Sequence, residues 1–265
     1  MQKRVLAVRR TVAVLSCAVV LFPVTSCNGH TSTKEGDRPS PPTARRATVE
    51  PTGDRNGVED LTSQQIYDKS RETNAAAGSY REQMTRIEAK TNLLVSATEC
   101  SGTVEKAGQG KYEVVVQGRD IWARMDAGLA KSASEQGGVT VPEDTWLHGT
   151  PDHPLMAMAA DECRKDWFAE PDTASAKLAA RLTKEQITVL DDGQQVVPIS
   201  IKADGTAITW YTATRGKPYY VRQDAARSDM VDVTYSDFGA PVNAAAPTGT
   251  VEEAPAGAWP NSKLH

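Results

Sequence analysis

From residue 61 onward the apolar positions fall first at helical spacing and then at every second residue. Thr62 with Gln65 three residues later reads as a capping box, and Leu61 and Ile66 flank it as the matching hydrophobic staple. The helix so opened is predicted to run to about Ala77 and stop at Gly78, with Ile66, Tyr67, Ser70, Thr73 and Asn74 turned inward. The period then changes to two. A mostly polar strand is predicted over 80–88, Tyr112, Val114 and Val116 alternate, and the chain turns over 117–120 into Ile121–Met125. The same alternation returns in Ile187/Val189, Val197/Ile199/Ile201, Ile208/Trp210/Thr212 and Val231/Val233/Tyr235. Asp192-Gly193 and Asp204-Gly205 sit between such runs at hairpin spacing, and 215–218 (Arg-Gly-Lys-Pro) is a third turn. Between the two sets of strands, 155–168 and 173–182 have helical spacing, with Leu155, Met158, Ala159, Cys163 and Trp167 on one side. Helices segregated from a long run of hairpins predict an α+β domain. A twisted antiparallel sheet of that size curls, and helices across its concave face complete the core.

The two ends do not share this pattern. Residues 1–10 carry Lys3, Arg4, Arg9 and Arg10, and 11–22 form an apolar run of twelve residues. A membrane-spanning helix needs roughly 20, so the run is read as a signal-peptide core. A plain basic head suits it better than a twin-arginine signal at Arg9-Arg10. Val24-Thr25-Ser26-Cys27 resembles a bacterial lipobox, which implies cleavage before Cys27 and a lipid on its thiol. Two or three acyl chains at ~0.8 kcal/mol per buried methylene make a durable membrane anchor. Residues 28–59 are rich in Ser, Thr, Pro and charge and are expected to form a disordered tether. Residues 247–265, where Trp259 is a lone large aromatic, are expected to form a disordered tail. The predicted organisation is therefore signal peptide 1–27, tether 28–59, one folded domain 60–246 and tail 247–265.

Charge narrows the partners. Without the four bases of the signal peptide, 26 Lys and Arg face 34 Asp and Glu, a net of −8. Such a surface gives no footprint for nucleic acid. Of the four cysteines, Cys17 leaves with the signal peptide and Cys27 is the lipidation site. Cys100 and Cys163 remain, and an even pair in an exported domain reads as a disulfide, worth ~4 kcal/mol by loop-closure entropy. His148, His153, Asp161 and Glu162 are the alternative, a metal set, but His and acids in a Gly/Pro-containing loop are usually solvated. No cofactor is expected. No G-x-S-x-G elbow, phosphate-binding loop, H-E-x-x-H or G-x-G-x-x-G occurs, so an enzyme is not expected, a hydrolase being the remote alternative. Trp122, Trp146, Trp167 and Trp210 either line a ligand cavity or fill the core.

The order of elements, the lipobox and tether, the opening Leu61-Thr62-Ser63-Gln64-Gln65-Ile66 and the ending Tyr235-Ser236-Asp237-Phe238-Gly239-Ala240-Pro241-Val242 resemble actinobacterial lipoproteins of the LppX/LprG type, of the LolA-like superfamily. The resemblance implies a half-barrel sheet closed by helices over a cavity that carries acyl chains. Trp122, Trp146, Trp167, Ile199 and Trp210 are the candidate lining. The expected function is a membrane-anchored, extracytoplasmic binding module for a lipid or other amphiphile. The alternative is a fully packed surface domain that senses or binds a cell-envelope protein. Large side chains are scarce, with three Phe in the chain, so the expected cavity is narrow or partly filled.

Overall fold

The computed structural model describes residues 53–163, 168, 181–203, 206–225 and 232–257. Among them a helix, α1 (Ser63–Ala75), precedes five strands, β1 (Ser79–Thr85), β2 (Ala89–Ser96), β3 (Glu99–Lys106), β4 (Gly110–Gln117) and β5 (Asp120–Met125). Helix α2 (Ala127–Gly137), strand β6 (Trp146–Gly149) and helix α3 (Pro154–Asp161) follow. The second half holds β7 (Thr183–Lys184), β8 (Thr188–Val189), β9 (Gln195–Ala203), β10 (Thr206–Ala213), β11 (Tyr220–Ala225), β12 (Asp232–Ser236) and β13 (Val251–Glu253). All join one sheet in the order β13-β6-β5-β4-β3-β2-β1-β12-β11-β10-β9-β7, with β8 also on β9. The sheet is unclosed and antiparallel except at β13–β6. Two meanders, β1–β5 and β9–β12, are fused where β1 pairs with β12. The fold is the expected α+β one.

The pleat sorts side chains onto two faces. Leu147, Ala123, Val114, Gly102, Leu93, Glu82 and Tyr235 lie in register across seven strands on one face. Val233, Gln223, Trp210 and Ile199 carry the same face to the far side. The three described helices pack here, α1 on β9 and β11, α2 and α3 on β4 and β5. Gly102 keeps the row continuous, because a Cβ there would stand 2.0 Å from the Asn92 carbonyl oxygen.

Local signals set the helix ends. Thr62 caps α1 reciprocally with Gln65, as the capping box predicts. Asp126 caps α2, accepting from the Leu129 N–H at 3.0 Å, and Gly138 ends it in the left-handed conformation. Helix α2 was not anticipated, although this cap and the spacing of Leu129, Ala130 and Ala133 announce it.

Four expectations need correction. The folded region begins before residue 60: Asn56 bonds backbone groups of Ala213 and Thr214, and Val58 is buried with Ile66 and Tyr67 of α1. A tether composition does not prevent one apolar residue from docking. The tail is not wholly free either, because Val251–Glu253 adds to the edge of β6 through backbone hydrogen bonds that composition does not reveal. Ile187 and Val189 are exposed, since β8 is only a two-residue strand paired with the end of β9. Helix α3 ends at Asp161, not at 168. The predicted helix over 173–182, the Asp204-Gly205 turn and Cys27 lie outside the described residues.

Candidate functional site

Among the described residues, helix α1 packs at one end of this face and α2 with α3 at the other, and between them lies the middle of the face, carried by β1, β2 and β12. Its floor is aromatic. Tyr80 of β1 and Tyr235 of β12 meet edge to face at 5.6 Å, and Tyr220 of β11 lies 5.2 Å from Tyr235. Phe168 stands at their centre, 5.3, 5.7 and 5.1 Å from the rings of Tyr80, Tyr220 and Tyr235. Tyr220 reaches this face because a bulge in the β10–β11 pairing leaves it opposite Thr212. The buried Asn74 of α1 pins that bulge, donating to the Tyr220 carbonyl at 2.8 Å and accepting its N–H at 2.9 Å.

Polar groups are set into this floor. Gln223 Oε1 accepts from Trp210 Nε1 and from the Tyr220 hydroxyl, both at 3.0 Å. Glu82, half-buried, sits between Tyr235 and Leu93 on the neighbouring strands and shares its face with Tyr80 and Met84. Burial raises its pKa to about 7; nearby Glu162 adds to the rise, while the Tyr235 hydroxyl bond and Arg86 oppose it. Burial among apolar groups and the negative charge of Glu82 likewise hold the Tyr235 hydroxyl well above its ordinary range.

Glu162, at the end of α3, behaves in the opposite way. Burial alone would raise it, but Lys106 at 2.7 Å and Arg86 outweigh that and hold it below the ordinary carboxylate range. The next residue, Cys163, is bonded to Cys100 on β3, the pairing expected from the sequence. Both cysteines are buried. The end of α3 is thus fixed to the sheet covalently at one residue and ionically at its neighbour.

The five candidate lining residues do not share one cavity. Ile199 is fully buried with Ile66 and Tyr67, so it is packed core, and Trp210 stacks edge to face on Tyr67 at 5.5 Å in the same cluster. Trp122 and Trp146 lie on the opposite, convex face, because β5 turns Ile121, Ala123 and Met125 inward. There Trp146 stacks under Arg124 at 5.1 Å and Trp122 against His148 at 5.3 Å. Trp167 lies outside the described residues. The four residues weighed as metal ligands do not converge: His148 is on the convex face between Asp120 and Glu253, whereas Glu162 is held by Arg86 and Lys106. Among the described residues no group of three or more His, Cys, Asp or Glu could hold a metal ion, and no helix is long and apolar enough to cross a membrane. The residues that sequence reasoning missed, Glu82, Tyr80, Tyr220 and Tyr235, are ordinary in type, and only the strand register brings them together.

No family of known proteins matches the chain, and no curated protein does. Among solved structures, the chain is similar to one described as "Crystal structure of MucB in complex with MucA(peri)", with a TM-score of 0.33 and 9% identity over 66% of this chain. The chain spans about half, 54%, of that chain's length.

Proposed function

We propose that the protein is a lipid-anchored extracytoplasmic module that carries no chemistry of its own and takes the apolar part of an amphiphile into the middle of its concave face. The observation that supports this reading best is Glu82. A half-buried carboxyl flanked by Tyr80, Met84, Leu93 and Tyr235 costs free energy when it ionises. In a binding site the same group has a use. Glu82 and Gln223 supply polar contacts for a headgroup, and the aromatic rings supply the surface for an acyl chain. Phe168 occupies the place of the ligand in this reading and moves aside when one binds. Lipidation at Cys27 would hold the module at a membrane surface, and the LppX/LprG resemblance points the same way, to acyl lipids.

The test is native mass spectrometry of the mature chain with Cys27 replaced by Ser, followed by titration with a fluorescent long-chain fatty acid. Co-purifying acyl lipid, and tighter fatty-acid binding by Phe168→Ala, are the expected results. A clean apo mass with no binding by either protein would overturn the reading. A second reading, a protein-interaction domain, is favoured by the convex patch of Trp122, Trp146, Arg124 and His148, residue types that dominate protein interfaces.

A further inference from the structure

The outer edge of β6 is covered by the chain's own C-terminal strand. Val251, Glu252 and Glu253 pair in parallel with Trp146, Leu147 and His148, and the Ala254 N–H donates to the His148 carbonyl at 2.8 Å. All three β13 residues are exposed, and only Ala254 just beyond them packs, partly buried, against the main core. The side-chain clamp is His148. Its Nδ1 lies 2.9 Å from Glu253 Oε1 on β13, and its Nε2 lies 3.0 Å from Asp120 Oδ1 on β5.

A neutral imidazole has one N–H and one lone pair, whereas the imidazolium has two N–H donors. Only the protonated ring can donate to both carboxylates. In the neutral ring one carboxylate must face a lone pair. On and beside β5, Arg124 pairs with Glu113 and lies over Trp146, and Arg119 pairs with Asp152. Trp122 covers one ring face, and His153 touches the same C-terminal segment through the Pro255 carbonyl at 3.3 Å.

We propose that β13 is a proton-controlled latch: protonated His148 clamps 251–254 onto the edge of β6, and loss of the proton loosens the strand and uncovers that edge. An uncovered edge offers unpaired backbone donors and acceptors to another extended strand. The hydrogen bonds it donates to Glu253 and Asp120 raise the His148 pKa above its ordinary value, against a smaller opposing effect of burial. A raised histidine pKa means stabilisation that is complete at low pH and lost as pH rises through the folded value.

The test is amide hydrogen exchange of the mature chain from pH 5.5 to 8.5, corrected for the intrinsic pH dependence of exchange. One partly exposed ion pair is expected to change protection of the Ala254 amide by about two- to five-fold, highest at the acid end. Protection should be low and independent of pH in His148→Gln and in Glu253→Gln. The second variant separates the clamp from His153, which it leaves untouched. Constant protection in the parent, or an unchanged pH profile in Glu253→Gln, would overturn the latch.

Discussion

Glu82 lies directly opposite Tyr235 in the β1–β12 ladder, and the tyrosine hydroxyl donates to its carboxyl. The pair stands at the seam that fuses the two meanders. Because the folded pKa of Glu82 is raised to about 7, the folded state binds more protons than the unfolded chain between pH 4.5 and 7. Stability from this group is therefore greatest at low pH and falls as pH rises through that window, by roughly 3 kcal/mol at most. Glu82→Gln should be more stable than the parent at pH 8 by about 1–3 kcal/mol and similar to it at pH 4.5. Urea unfolding at the two pH values measures the difference, and an equal gap at both would contradict the assignment.

Glu162 has the opposite sign. Its folded pKa is lowered, so its contribution is complete above the ordinary carboxylate range and disappears as pH falls through the folded value. Arg86 and Lys106 are about a third exposed, which screens the pairs, so Glu162→Gln should cost about 1–2 kcal/mol at pH 7. The cost should vanish in strong acid. Thermal unfolding of the two proteins across pH reads it directly.

The Cys100–Cys163 bond should resist reduction in the folded protein, since both residues are buried. Alkylating the unfolded chain before reduction should modify neither cysteine. Replacing both by Ser should destabilise the domain by about 2–5 kcal/mol. Mass spectrometry and denaturant titration provide the two readings.

Ile199 is fully buried beneath α1, so Ile199→Ala should incur the full cost of a packed core site, about 2–5 kcal/mol. Added long-chain fatty acid should not restore it, because Ile199 is packed core beneath α1. Rescue by lipid would place the cavity under α1 instead.

Cys27→Ala should move the protein from the membrane fraction to the soluble fraction and abolish labelling by a palmitate analogue. Cell fractionation with metabolic labelling decides this. Label that persists in the variant would refute lipidation at Cys27.

Features that depend on neighbours in the chain were legible in the sequence. The α1 cap needs only Thr62 and Gln65, and the meanders need only alternation and turns, so fold class followed from local patterns. Cys100 and Cys163 were paired by elimination and compartment. The faces of the strands were legible as well, since Ile121, Ala123 and Met125 alternate with Trp122, but the size of Trp122 suggested the wrong side. Tertiary structure decided the rest. Pairing of β1 with β12, about 150 residues apart, placed Glu82 against Tyr235, and no local propensity encodes that meeting. A bulge turned Tyr220 into the same site. An exposed, acidic strand such as β13 carries little hydrophobic signal, because backbone hydrogen bonds and His148 hold it, with only Ala254 packed against the core. Sequence periodicity reports burial, and the candidate site and the latch are built from polar groups whose partners lie far along the chain.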